Sequence, residues 1–486
     1  MKILALNPPF LKKKFSREQR SPAVTKSGTF YYPMWLAYAT GLLEKNGFSV
    51  TLMDCPAQNR DEDFVKMFLT TEKPDMVIID TSTPSIHNDV TFAEMAKKIS
   101  PGCYTLLVGP HVSAMPEQSL KLSPYADAAA IGEYDYTALE LARALRDKTP
   151  LDGIKGLVFR KGNEIKRNPV REWITDMDGL PFVSSVYKKH LNHHNYFYAH
   201  SKFPIIVILG GRGCPHHCTY CVYPQTFSGR QVRFRSVKNV VDEMEYIIKE
   251  FPDVKEIMFE DDTLTVNKKR SRELAEEILN RKIKMIWSAN SRADVDLETM
   301  KLLHSAGCRL FCVGIESGAQ EILDSMKKNL KVERVRQFFA DAKKAKILIH
   351  GCFLLGCPGE TKKTLLKTLE FAKELNPDTA QFFPLMVYPG TEAYDWAKAN
   401  GYLTTGDFKD WLTKEGMHNC VVSRPELTNE ELVDFCDYAR KEFYLRAKYI
   451  GTKLLQALKH PSESKRLFKG AKSLAKHLMK KVREKK

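Results

Sequence analysis

The sequence predicts an α/β protein: a doubly wound parallel sheet, then a partial (β/α)6 barrel, then a helical C-terminal extension. Three observations carry this. Short apolar runs alternate with amphipathic stretches from Met1 to about Leu145, a second alternating series starts at Pro204, and the pattern turns mainly helical after Gly390. Alternation of this kind marks βα units laid around a parallel sheet.

The first unit, 1–148, opens with the strand MKILALN and continues through a helix at Trp35 to Asn46 and the strand FSVTLMD. A helix near Phe64, the strand DMVIID, a helix from Val90 and the runs YTLLVG and AAAIG complete it. Four of the runs end in small or turn-forming residues: Asn7-Pro8-Pro9, Thr81-Ser82-Thr83-Pro84, Gly109-Pro110-His111 and Gly132-Glu133. Loops at the carboxyl ends of parallel strands are where such sheets bind ligands. Residues 149–202 break the pattern and read as a linker packed between domains, with a small hairpin, GLVFRKGNEIKRN, and the His-rich stretch HLNHHNYFYAH. In 203–396 the runs PIIVILGG, EIMFED, MIWSAN, LFCVGIE, ILIHGCFLLG and TAQFFPLMV recur with amphipathic helices between them. Six strands at that spacing fit a partial barrel. Residues 397–486 form the helical region with its lysine-rich end.

At 486 residues and 43% hydrophobic content the chain is long enough for two or three domains. No window reaches the apolar length of a spanning helix and the start lacks a signal-peptide core, so a cytoplasmic protein is expected. Its 11 cysteines are too few and too uneven for a disulfide scaffold. In a reducing compartment, clustered cysteines read as metal ligands. The net charge of +16 sits mostly at one end: from Arg440 to Lys486 there are sixteen Lys or Arg against three acids, Glu442, Glu463 and Glu484. There Leu467, Phe468, Ala471, Leu474, Ala475, Leu478, Met479 and Val482 recur at helical steps, with Lys469, Lys472, Lys476 and Lys480 between them. Such a basic amphipathic helix either lies on an anionic membrane, giving peripheral contact, or docks on the barrel. No nucleic-acid-binding module accompanies the charge, so a nucleic-acid partner is not expected.

One cysteine cluster stands out. Directly after the first strand of the second series comes GGRGCPHHCTYC, which spaces Cys214, Cys218 and Cys221 as CxxxCxxC. Three thiolates on one loop can ligate three irons of a cubane and leave the fourth open to chelate another molecule. The competing readings are a zinc site and unrelated core cysteines. Zinc wants four ligands, and although His216 and His217 lie in the loop, no second CxxC pair follows at finger spacing. Cys308, Cys312, Cys352 and Cys357 fall on or beside barrel strands, where buried cysteine is commonly a small hydrophobe; a hydrogen-donating or ligating Cys357 is the alternative, and a second cluster is not expected.

From Pro204 to Ala397 the sequence resembles the radical S-adenosylmethionine superfamily. The resemblance implies a 4Fe-4S cluster on the three cysteines and S-adenosylmethionine (SAM) on its open iron. Tyr220 matches a position beside the adenine. Glu260, Asp261 and Asp262 in FEDDTLT match the acidic site near the cofactor's amino group and ribose. Asn290 and Arg292 in SANSRAD, and Glu316 and Ser317 in GIESG, are similar to further contacts, and GCPGET and YPGT also fit. The competing reading of the Asp pair is a helix N-cap. Acids can pair with the cofactor's ammonium, and all of these project from one barrel rim.

The first unit resembles the Rossmann-like cobalamin-binding domain found upstream of the barrel in class B radical enzymes. Carrying strings are NPP, YYPMWLAYATGLLEKNGFSVTLMD, the Thr81 to Thr83 loop, VGPHVSAMPE and IGEYDYT. The resemblance implies cobalamin contacts from Asn7, Pro8, Thr81, Ser82, Thr83, Gly109, Pro110, His111, Gly132 and Glu133. DxHxxG is missing, so a histidine under the cobalt is not expected, and His87 and His111 read as hydrogen-bonded loop residues.

The implied activity is generation of a 5′-deoxyadenosyl radical that functionalises an unactivated carbon of a small-molecule or lipid substrate, with an electron donor such as flavodoxin or ferredoxin. C-methylation is the first expectation. Carbon–carbon bond or ring formation is the second, by similarity to the anaerobic Mg-protoporphyrin ester cyclase and the hopanoid cyclitol-forming enzymes. A methylthiotransferase would need three further N-terminal cluster cysteines, where only Cys55 and Cys103 precede the motif. A non-catalytic cobalamin sensor leaves the triad unexplained.

Overall fold

In the first unit of the computed structural model, which describes residues 1–459, the strands are β1 (Lys2–Asn7), β2 (Ser49–Asp54), β3 (Met76–Asp80), β4 (Tyr104–Val108) and β5 (Ala128–Ala130). They pair in parallel in the order β2-β1-β3-β4-β5. The order reverses between β1 and β3, which opens a ligand crevice at their carboxyl ends. Side chains alternate between faces. Ile3, Ala5, Ile78 and Leu106 pack under the helices Met34–Lys45 and Asp135–Asp147, whereas Leu4, Leu6, Val77, Ile79 and Leu107 pack under Glu62–Glu72 and Ile86–Ile99.

The hairpin, β6 (Leu157–Lys161) and β7 (Glu164–Arg167), does not stand apart in a linker. It adds two antiparallel strands to the β5 edge, so the sheet has seven. Local turn chemistry identifies a hairpin but says nothing about which edge it pairs with.

The second unit has β8 (Ile205–Ile208), then a short antiparallel ribbon of β9 (Gly211–Arg212) and β10 (Arg233–Phe234). The strands β11 (Glu256–Phe259), β12 (Trp287–Ser291), β13 (Cys308–Gly314), β14 (Leu348–Leu355) and β15 (Thr379–Pro384) follow. β8 and β11 to β15 form a six-stranded parallel sheet in chain order, the partial barrel. Four of its helices start where the sequence supplies caps: Ser236, Asn267, Asp296 and Thr361 each accept a hydrogen bond from a first-turn amide.

The open β15 edge is covered by the helix Asn429–Tyr444, whose Tyr444 hydroxyl donates to the Ala380 carbonyl at 2.7 Å and accepts from its amide at 2.9 Å. That protects backbone groups an exposed edge would leave unpaired. Residues 400–428 are mostly irregular rather than helical. The two units share a core, since the first face of the doubly wound sheet is continuous with the barrel's Ile206, Phe259 and Phe353. No helix among the described residues is long and apolar enough to cross a membrane. The basic amphipathic stretch from Leu467 to Val482 lies outside the described residues.

Candidate active site between the two sheets

The carboxyl ends of both sheets face each other, joined by two polar connections. In the first, Glu133, just past β5, accepts from Arg233 of β10 at 2.6 and 2.8 Å, and Asp135 accepts from Arg212 of β9 at 2.7 and 3.3 Å. These side chains are nearly fully buried. The ribbon that carries both arginines flanks the cysteine loop, so the first sheet positions that loop directly.

The second connection is the long segment after β1. Arg17, fully buried, donates to Asp89 at 2.6 Å, to Asn7 at 2.7 Å and to the Pro8 carbonyl at 2.7 Å. Glu18 caps the helix Met34–Lys45, accepting from the Trp35 and Leu36 amides at 2.5 and 2.8 Å. Arg20 crosses to the barrel, where it pairs with Glu260 at 3.0 Å and Asp262 at 3.1 Å. Ser21 meets the Tyr388 hydroxyl at 2.9 Å and His418 at 2.8 Å. No strand-end pattern flagged these residues, because long-range pairing leaves no local periodicity.

The loop of Cys214, Cys218 and Cys221 is held by its backbone. Gly213 has φ +90, and a Cβ there would collide with the Gln231 carbonyl. Cys214 donates its amide to Gly229 at 3.1 Å, and the Gln225 amide group collects the carbonyls of Cys218, Thr219 and Cys221 at 3.3, 3.1 and 2.9 Å. Cys218 is buried and the other two are half-buried. Burial, then the charge of Asp262, pushes the Cys214 thiol up, and burial pushes the Cys221 thiol up despite Arg20. A bound cation reverses that preference, since thiolate is the metal-binding form. Among the described residues, the three loop sulfurs do not all come within 4.8 Å of one another. That suits separate corner irons of a cubane better than one zinc ion, and the donor set therefore fits a 4Fe-4S cluster.

Of the acids at the end of β11, two pair with Arg20 and one does not. Glu260 and Asp262 share Arg20, and Asp262 also accepts from Ser228 at 2.9 Å. Asp261 turns back to accept from the Gly210 amide at 2.8 Å, tying β11 to β8, and burial pushes its carboxyl up to about 7. Asn290 donates to the Asp261 carbonyl at 3.1 Å, and Arg292 donates to the carbonyls of Lys328 and Asn329 at 2.8 and 3.1 Å.

Tyr220 and Lys328 converge on Glu316, their hydroxyl and ammonium donating to its Oε1 at 2.8 and 2.7 Å. Glu316 adopts φ +68, a strained conformation for a non-glycine residue, which fits a functional position. Lys328 lies after a helix, not at a strand end, and gave no sequence signal. Ser317 is fully buried and pairs with Thr368 of the helix Lys362–Leu375 at 2.9 Å, so its hydroxyl serves packing.

In the first sheet, the Thr81 hydroxyl donates to the Val108 carbonyl at 2.7 Å and Ser82 meets Ser85 at 2.7 Å. His111 Nδ1 meets the Thr83 hydroxyl at 3.1 Å, and burial, then the charge of His87, pulls its imidazole down to about 3. Gly109, φ +116, lets its backbone lie against the Thr81 carbonyl, where a Cβ would sit 2.6 Å away. Gly132 donates its amide to Ser113 at 2.9 Å. Pro8 contributes its carbonyl to Arg17, and Pro110 begins the turn that carries His111. Two buried polar atoms here, Asp80 Oδ2 and the Tyr134 hydroxyl, have no protein hydrogen-bond partner. Orphaned polar groups at the carboxyl end of a doubly wound sheet fit a large polar ligand such as cobalamin.

Three thiols on a preorganised loop, acids at the barrel rim and a ligand crevice opposite define an enzyme that combines an iron–sulfur centre with a second bound cofactor. Comparison with known proteins agrees. Residues 208–372 match the radical SAM superfamily and residues 20–142 the B12 binding domain. An uncharacterized methyltransferase of Pyrococcus horikoshii is 30% identical over 457 residues, 93% of this chain and 94% of that protein. The anaerobic magnesium-protoporphyrin IX monomethyl ester cyclase of Rubrivivax gelatinosus is 29% identical over 372 residues, 74% of this chain and 65% of that one. In fold, the radical SAM methyltransferase TsrM of Kitasatospora setae matches with a TM-score of 0.66 at 19% identity, over 83% of this chain and 77% of that one. The chain belongs to the cobalamin-binding branch of the radical SAM superfamily.

Proposed function

We propose that this enzyme transfers a methyl group to an unactivated carbon of a small-molecule substrate. When bound, the cluster and cobalamin supply reductive cleavage of SAM and a transferable methyl group. Cys214, Cys218 and Cys221 hold the cluster. Glu260 and Asp262 take the ammonium and ribose of SAM, exchanging Arg20 for them, while Tyr220, fixed by Glu316, borders the adenine. Asn290 and Arg292 hold the β12 end in place. The loops after β1, β3, β4 and β5 receive cobalamin through backbone groups, because the side chains of Asn7, Thr81, Ser82 and His111 are already engaged with Arg17 and Asp54, the Val108 carbonyl, Ser85 and Thr83.

The observation that carries this reading is the facing of the two sheets' carboxyl ends, bridged by Arg17 and Arg20 on one segment. A substrate between them would touch both cofactors with water excluded. A low-potential flavodoxin or ferredoxin supplies electrons, and the basic tail gives contact with an anionic membrane that would suit a lipid substrate. The test is anoxic turnover with SAM, reductant and cobalamin: paired formation of 5′-deoxyadenosine and S-adenosylhomocysteine with a methylated product supports it, and 5′-deoxyadenosine without S-adenosylhomocysteine contradicts it. That second outcome favours ring closure, the reading suggested by the cyclase relative.

A further inference from the structure

We propose a second metal site in the barrel wall: Cys312, Cys352 and His350 bind one zinc ion whose remaining position opens into the barrel lumen. The residues lie on the adjacent parallel strands β13 and β14, whose register sets Cys312 beside His350 and Gly314 beside Cys352. Cys312 Sγ and Cys352 Sγ are 3.9 Å apart, and one ligand atom from each of the three residues lies within 4.8 Å of the others. All three side chains are partly exposed, while the neighbouring Phe311, Val313, Ile349 and Phe353 are buried in the core. Alternation along a strand therefore turns the cluster toward the lumen.

The sulfur separation, within reach of a thiol–thiol hydrogen bond, also matches two ligands of one zinc ion. Two thiolates at about 2.3 Å from one tetrahedral zinc stand about 3.8 Å apart, whereas a disulfide holds its sulfurs at about 2.05 Å. The loop cysteines make the contrast, since they do not converge in this way among the described residues. His350 is oriented by the Thr379 hydroxyl at 2.7 Å and stacked on His200 at a centroid distance of 5.0 Å, the outer support typical of a metal-bound imidazole. Three protein ligands leave a fourth position, the arrangement of zinc sites that admit another ligand. Tyr31 lies close enough to feel Cys312, Cys352 and Glu260 together, so this wall is continuous with the SAM site. An ion here would anchor a sulfur, nitrogen or anionic oxygen donor of a molecule in the lumen. Binding converts two thiols to thiolates and releases their two protons to solvent.

The test uses the full chain with Cys214, Cys218 and Cys221 changed to alanine, so that the cluster loop contributes no metal. It is loaded anoxically with zinc, dialysed against a weak chelator and analysed for metal. One zinc per chain is expected, falling at least tenfold on adding Cys312→Ser or Cys352→Ser. Cobalt substitution should give thiolate-to-cobalt charge-transfer absorption that either serine change removes. The proposal is overturned by no retained zinc, by equal zinc in the serine variants, by cobalt bound without that absorption, or by a Cys312–Cys352 disulfide in its place. Counting zinc against iron in reconstituted wild-type enzyme and in its Cys312→Ser variant gives the same comparison if the alanine variant does not fold.

Discussion

The Glu133–Arg233 pair is the sharpest test of how the first sheet positions the cysteine loop. Glu133→Gln keeps the side chain's shape but leaves the buried Arg233 guanidinium facing an amide. Losing one partner of a buried, hydrogen-bonded ion pair costs about 3 to 5 kcal/mol. Arg233 keeps its bonds to the Ser228 and Ile174 carbonyls at 2.6 and 3.1 Å, and Arg212 keeps Asp135. The lower end, about 3 kcal/mol, is therefore expected, which is about a hundredfold in a local opening equilibrium. Hydrogen exchange of peptides spanning 211–235 in the metal-free chain reads that opening. Glu133→Gln, Arg233→Met and the double variant form a cycle whose coupling energy should be about 2 kcal/mol or more. Exchange within threefold of wild type in Glu133→Gln, or additive effects in the double variant, would refute the interdomain lock.

Other expectations follow from the same geometry. Lys328→Met leaves the buried Glu316 carboxylate with Tyr220 alone and should weaken SAM binding by about 2 kcal/mol, roughly thirtyfold by calorimetry, while Tyr220→Phe should cost about 1 kcal/mol; unchanged affinity in both would exclude this triad from the cofactor site. Asp261 has its carboxyl raised by burial from 3.8 to about 7, so it favours the fold when protonated. Its contribution is full below about pH 4 and is lost as pH rises through about 7. Asp261→Asn, which still accepts from Gly210, should flatten the melting temperature across that window and raise it at pH 8; an equal loss at pH 5 and pH 8 would contradict this. His111, buried and bonded to Thr83, should not ligate cobalt, so His111→Ala should leave the cob(II)alamin paramagnetic spectrum unchanged, whereas loss of nitrogen hyperfine structure would show that it does.

Most of the fold was legible because strand and helix periods are local. The six barrel runs became β8 and β11 to β15 in order. The cysteine loop was legible because its three thiols lie close together in sequence. Orientation was not: FEDD put three acids at one strand end, yet Asp261 turns back to Gly210, and Ser317 in GIESG faces a helix. Glu133, read as a cobalamin contact, spends its carboxylate on Arg233, a residue 100 positions away. Arg17 and Arg20 reach Asp89 and Glu260 across 72 and 240 positions, Lys328 reaches Glu316 from an irregular stretch without a periodic signal, and Cys312 meets Cys352 only through strand register.

The central claim is that Cys214, Cys218 and Cys221 hold a cubane with one iron open to SAM. Its most direct measurement is electron paramagnetic resonance of the anoxically reconstituted, reduced enzyme with and without SAM. A cluster signal that shifts when SAM is added and vanishes in the triple alanine variant is the predicted result. A signal that ignores SAM, or that survives loss of all three thiols, would contradict the account.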